Sequence, residues 1–160
     1  MKSTPLLALA IAAAALAAPF NAVSAAPAPA AAPPSAVTPA AASVTITFAG
    51  IELPQGRIMV ALYDGKQAYE GGSPVRVAPV AVSGTGEVSA TIEGLAPGAY
   101  AVKAFHDVDG DGKLGKNPFG IPTEPYAFSN DAKGERGPAS WEAASFALAA
   151  GANAQRITLR

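Results

Sequence analysis

From residue 43 onward the chain alternates apolar and polar positions with a period of two. Val44, Ile46 and Phe48 alternate with Thr45 and Thr47, the pattern of a strand with one buried face. Residues 57–63 place Ile58, Val60 and Leu62 on one face and Met59, Ala61 and Tyr63 on the other, so this strand is expected to be covered on both sides. Residues 66–73 read as a polar loop. Val75, Val77, Val80 and Val82 form an interrupted strand whose apolar phase slips across Pro79. Proline removes a ladder donor, which predicts an edge strand with a bulge. Val88, Ala90 and Ile92 alternate again through Glu93, and residues 99–106 put Tyr100, Val102, Ala104 and His106 on one face. Residues 144–149 and 155–159 read as the closing strands, with Gly151 and Asn153 in the turn between them. Ser140 is placed to cap a single helical turn reaching Ala144. Short strands punctuated by Gly and Pro, with no sustained 3.6-residue period, predict an all-β fold: an antiparallel Ig-like or transthyretin-like β-sandwich of about seven strands with one long ordered loop.

The first forty residues follow a different rule. Met1 and Lys2 precede an apolar run over residues 6–18, and Val23-Ser24-Ala25 sets small residues where signal peptidase requires them. This predicts a secretory signal peptide over residues 1–25, cleaved after Ala25. A spanning helix needs ~20 apolar residues, and Pro19 and Asn21 interrupt this run first, so no membrane span is expected in the mature chain. Residues 26–42 are an Ala/Pro tract, which reads as a semi-extended linker because proline fixes φ and removes donors. The folded domain is then expected over residues 43–160, in the periplasm or outside the cell. The absence of cysteine excludes a disulfide framework, a thiolate zinc site, a Cys nucleophile and a lipidated N-terminal Cys. Charged residues make up 14% with a net charge of −1, and no Lys/Arg cluster stands out, so no nucleic-acid partner is expected.

The chemistry is concentrated in His106-Asp107-Val108-Asp109-Gly110-Asp111-Gly112-Lys113-Leu114. Calcium takes six to eight oxygen ligands. Asp107, Asp109 and Asp111 fill positions 1, 3 and 5 of a calcium-loop pattern, Gly112 the turn, Lys113 a backbone carbonyl and Leu114 the apolar anchor. The twelfth position, where such a loop needs a bidentate Glu, is Pro118, and a helix cannot follow it. This is therefore not an EF-hand. Asn117, Glu124 or Asp131 is left to supply the missing oxygen. The competing reading is a solvated acidic turn, since Asp-Gly favours turns on its own. His106 is the only histidine. Its strand face predicts a packed residue that orients the loop by hydrogen bonding.

Residues 115–140 hold many breakers but also Phe119, Ile121, Tyr126 and Phe128, with Trp141 just beyond. That apolar content predicts an ordered flap packed on the sandwich rather than a disordered linker. His106, Phe119, Tyr126, Phe128, Asn130 and Trp141 are the binding candidates. The segment Gly94-Leu95-Ala96-Pro97-Gly98-Ala99-Tyr100 resembles a hairpin of transthyretin-like and carboxypeptidase-regulatory-like domains. The acidic loop, then Gly120-Ile121-Pro122 with Glu124 and Tyr126-Ala127-Phe128-Ser129-Asn130, then Gly137-Pro138, Trp141, Ala144 and Phe146, together resemble the secreted bacterial domain of unknown function DUF2141. Members often carry Asn at some loop aspartates, a second Pro where Ala139 stands and Phe where Trp141 stands. The resemblance implies fold and location but no activity. Three functions stay open. The first is a non-enzymatic, calcium-stabilised module that binds an envelope partner. The second is a hydrolase using His106 with Asp107 or Glu124, and the third a purely structural accessory domain.

Overall fold

The computed structural model describes residues 41–160. The expected signal peptide and all of the expected linker but Ala41 and Ala42 lie outside the described residues. The first strand, β1, runs Ala42–Ile51, and is followed by β2 (Arg57–Tyr63), α1 (Lys66–Gly71), β3 (Arg76–Ala81), β4 (Gly86–Leu95), β5 (Gly98–Asp107), β6 (Tyr126–Phe128), a 3-10 turn (Ser129–Asp131), α2 (Trp141–Ala144), β7 (Phe146–Leu148) and β8 (Gly151–Thr158). One sheet has the order β4-β1-β8, and the other β3-β2-β5-β6, with β7 also on β5. The fold is the expected all-β sandwich. Its eighth strand, β6, spans three residues, too short to show an alternation. The pairing is antiparallel except between β1 and β8, which run parallel from Ala42↔Gly151 to Ala49↔Thr158.

The period-two pattern builds the core directly. Val44, Ile46 and Phe48 of β1, Ile58, Val60 and Leu62 of β2, Val102 of β5 and Ile157 of β8 are buried between the sheets. Each such side chain contributes roughly 1.5–3 kcal/mol on burial. The outer face of the β1 sheet is polar, with Thr45 and Thr91 hydroxyls paired at 2.9 Å and Thr47 with Ser89 at 2.8 Å. The outer face of the β2 sheet is instead covered over part of its area by a second apolar cluster of Tyr63, Tyr69, Ala101, Phe128, Ala139 and Ala144. The two-sided covering expected of β2 is complete at Tyr63 and partial at Met59 and Ala61, which are half-buried.

Three local expectations are corrected. Residues 66–71 form a helix that packs through Tyr69: it is buried, its ring meets Tyr63 at 5.4 Å and Trp141 at 5.8 Å, and its hydroxyl donates to the Ala139 carbonyl at 3.0 Å. Burial, with the neighbouring Tyr63, pushes that phenol up to about 12, so it remains a donor. Next, β3 is an edge strand but has no bulge; its register on β2 is unbroken from Arg57↔Ala81 to Leu62↔Arg76. The phase slip turns Val77 outward, 57% exposed, while Ala78 and Val80 pack on the core. Finally, the segment around Pro97 is an inter-sheet corner rather than a hairpin, since β4 and β5 lie in different sheets. The Tyr100 hydroxyl donates back to the Ala96 carbonyl at 2.9 Å and fastens it. The closing strands likewise part company, β7 joining β5 and β8 joining β1. The expected cap of α2 is present, with the Ser140 hydroxyl accepting from the Ala143 amide at 3.3 Å.

Candidate functional site

The acidic loop leaves the end of β5, where strand alternation sends His106 and Asp107 to opposite faces. His106 enters the core face and is 1% exposed. Its Nε2 lies 2.7 Å from the Gln55 carbonyl; a carbonyl only accepts, so this nitrogen carries the proton. The bond ties β5 to the β1–β2 connection and not to the acidic loop itself. It also turns the imidazole away from Asp107, so the two do not form a dyad.

Asp107 is completely buried and is the hub of the loop. Its Oδ1 accepts from the Gly110 amide at 2.9 Å, and its Oδ2 from the Gly112 amide at 3.1 Å and Arg57 Nε at 2.9 Å. Arg57 stands directly across the ladder from Asp107 and reaches the Gly110 carbonyl with Nη2 at 2.6 Å. Burial works against the charged carboxylate. The Arg57 guanidinium and the two glycine amides outweigh it and hold Asp107 below its ordinary value. Gly112 has φ +78°, a conformation side chains resist. Gly56 permits the close approach behind the loop: a Cβ there would sit 2.2 Å from the Asp107 carbonyl oxygen.

Glu124 closes the loop from the far end of the flap. Its Oε1 accepts from the Val108 amide at 2.9 Å and its Oε2 from the Gly115 amide at 2.8 Å. One oxygen each from Asp107, Asp109 and Glu124 lies within 4.8 Å of the others. The donor set is all oxygen, as a hard cation prefers. Asp107 Oδ1 and both Glu124 oxygens hold one N–H each, which leaves each of them a lone pair. Asp111 is outside this group. Its Oδ1 accepts from the Lys113 amide at 2.7 Å, and Asp109 Oδ1 accepts from the Asp111 amide at 3.2 Å, both local turns. Asn117 organises the flap, its Oδ1 accepting from the Phe119 and Ile121 amides at 3.0 Å each. Asp131, at the end of the 3-10 turn, is tied to β8, accepting from the Thr158 amide at 2.6 Å.

The flap is itself a small hairpin. Lys116 and Pro122 bridge, the Thr123 amide donates to Gly115 and the Gly120 amide to Asn117. Phe119 at its tip is 87% exposed and Ile121 59% exposed. The other aromatic candidates sit lower. Phe128 is buried, Tyr126 is 38% exposed and stacks edge-on with it at 5.9 Å, and half-buried Trp141 packs on Tyr69. Asn130 has φ +60° and donates to the Ser145 carbonyl at 2.8 Å, holding the end of α2.

Strand alternation alone did not single out three residues that shape this region. Arg57 meets Asp107 through long-range register. Ser129 accepts from the Val102 amide at 2.8 Å and donates to the Ala144 carbonyl at 2.5 Å. Lys103 lies on the outer face of β5 with its Nζ 4.1 Å from the Tyr69 ring centre. The available signal for Lys103 was its place as a lone charge between Ala101 and Phe105 on one strand face.

Fold and loop together define a β-sandwich domain with an acid-rooted aromatic flap. The sequence model described as "Uncharacterized protein conserved in bacteria (DUF2141)" matches residues 46–156. The chain belongs to the DUF2141 family. Comparison with curated proteins and with solved structures gives no match.

Proposed function

We propose that this protein is a non-enzymatic, secreted or periplasmic module that binds an envelope partner through its flap. The observation that carries the reading is the flap tip. Phe119 and Ile121 hold apolar side chains in water on a hairpin pinned by Asn117 and Glu124. Ordered, exposed apolar groups of this kind are characteristic of contact surfaces. The targeting pattern of residues 1–25 supports the location, and among the described residues no helix is long and apolar enough to cross a membrane. A photo-crosslinking residue placed at Phe119 in the living cell should give a discrete adduct, and the same residue at Thr45, on the opposite sheet, should not. Equal labelling from both positions, or none from Phe119, would overturn the reading.

Calcium stabilisation belongs to the same proposal and is supported by the convergence of Asp107, Asp109 and Glu124. Affinity in the range of extracellular modules, ~10⁻⁴–10⁻³ M, is expected. At ten times the dissociation constant the ion should add roughly 1.4 kcal/mol, a rise in melting temperature of about 5 °C. Asp109→Asn should remove that response while leaving the metal-free melting temperature within about 2 °C, because Asp109 is exposed and makes only a local turn. A melting temperature unmoved by 10 mM calcium, taken as roughly ten times the upper end of that range, would exclude the ion.

A further inference from the structure

The outer face of the β2 sheet carries a cavity that the flap tip does not use. Met59 and Ala61 of β2, Val77 of β3, Phe105 of β5, and Tyr126 and Phe128 of β6 line a space of about 320 Å³. Its size falls within the range of small-molecule sites. Leu114 and Pro138 also line it and, with Tyr126 and Phe128, line a second groove of about 510 Å³ whose other lining residues include Phe119 and Ile121 of the flap. The two spaces therefore adjoin along one apolar wall.

Lys103, near the middle of β5, is the one charged residue in the lining of the first cavity. Its Nζ donates to the Tyr69 carbonyl at 2.6 Å and lies 4.1 Å from the Tyr69 ring centre and 5.1 Å from that of Tyr63. Among the described residues no carboxylate pairs with it. An ammonium has three donors, and the carbonyl takes one. The ring faces attract the charge without supplying lone pairs of their own. Burial pulls the Lys103 pKa down, the direction expected of a cation lacking a counter-ion.

We infer that this groove binds a small amphiphilic monocarboxylate, with the carboxylate on Lys103 and the apolar chain along the adjoining wall toward the flap. The charge complementarity is specific. One compact ammonium matches a single negative charge, and the lining of this cavity holds no second cation to balance a dianion. The first cavity offers an alkyl chain apolar contacts with Lys103 as its one charged residue, whereas Lys116, Glu135 and Arg136 line the second groove. The anchoring point is independent of the flap's partner, because Phe119 and Ile121 line only the second groove and not the cavity that holds Lys103.

The test is calorimetric titration of the full chain with octanoate, octan-1-ol and acetate. Octanoate should bind, octan-1-ol should bind at least about tenfold more weakly for want of the charge-assisted hydrogen bond, and acetate should not bind measurably. Lys103→Met keeps the apolar stem and removes the charge. It should reduce octanoate affinity to that of octan-1-ol while octan-1-ol affinity stays unchanged. If octan-1-ol and octanoate bind the native chain equally, or octanoate does not bind, the inference fails. It fails as well if a folded Lys103→Met protein retains the preference for octanoate. Should that variant not fold, the comparison of the three ligands on the native chain still decides. None of these outcomes depends on crosslinking at Phe119, so the two readings fail separately.

Discussion

Asp107→Ala should lower the melting temperature by at least about 10 °C, more than any other substitution in the acidic loop. The carboxylate is completely buried and receives the Gly110 and Gly112 amides and the Arg57 guanidinium. Its removal leaves two inward-facing amides without an acceptor and the partly exposed Arg57 guanidinium without its counter-ion, and the unsatisfied buried amides carry most of the cost. Asp107→Asn should be almost as damaging. Every partner of this side chain is a donor, so the new amide nitrogen must face either the Gly110 amide or the Gly112 amide and Arg57. Asp111→Ala, in the same loop but exposed and bonded only to the Lys113 amide, should change the melting temperature by about 3 °C or less. Comparable losses from Asp107→Asn and Asp111→Ala in thermal denaturation would refute the hub assignment.

The acid limb follows from the same contacts. Because the folded-state carboxyl of Asp107 lies below its ordinary value of 3.8, the folded form binds its proton less readily than the unfolded chain. Its stabilising contribution is fully present above that ordinary value and is lost as the pH falls through the depressed folded value. Native protein should therefore lose stability more steeply below pH 3.8 than Asp107→Asn, in which this group no longer titrates. Parallel acid limbs would contradict the assignment.

Much of this architecture was legible because the sheets bury one face along most of their length. Val44, Ile46 and Phe48, or Ile58, Val60 and Leu62, announce a core face by position alone. What escaped was decided by partners distant in sequence. Glycines and polar residues around 66–73 conceal α1, whose one buried residue, Tyr69, gains its purpose from Tyr63 and Trp141. The corner at Pro97 has the local chemistry of a turn, and nothing local says that the next strand joins the other sheet. The acidic loop shows the same division. Asp107 and Gly112 were readable as loop positions, and Glu124 as one of three candidate oxygens. The convergence of Glu124 rather than Asp111 on Asp107 and Asp109 depends on how the flap returns to β6. Arg57 could be matched to Asp107 only once the β2–β5 register was known.

Ser129→Ala is the second large effect, and it reports on how β5 is held at the groove. On the edge of β5 away from β2, β6 pairs with Lys103, Ala104 and Phe105, and β7 pairs with Gly98, Ala99 and Tyr100. Between them the Val102 amide has no strand partner and donates to the Ser129 hydroxyl, which in turn donates a hydrogen bond to the Ala144 carbonyl. Ser129 is completely buried, so alanine strands one donor and one acceptor away from water. At roughly 1–3 kcal/mol for each unsatisfied group, the loss should be about 3 kcal/mol. The same substitution at Ser140, where the hydroxyl caps α2 at the surface, should cost only about 1 kcal/mol. Hydrogen exchange adds a local readout: the Val102 amide should lose protection in Ser129→Ala by more than the global destabilisation explains, while the Ile58 and Val60 amides of β2 follow it. Equal losses at Ser129 and Ser140, or uniform deprotection across β2 and β5, would mean that the hydroxyl does not bridge the gap. Because Lys103 follows Val102 directly, this one serine also fixes the stretch of strand from which Lys103 lines the groove.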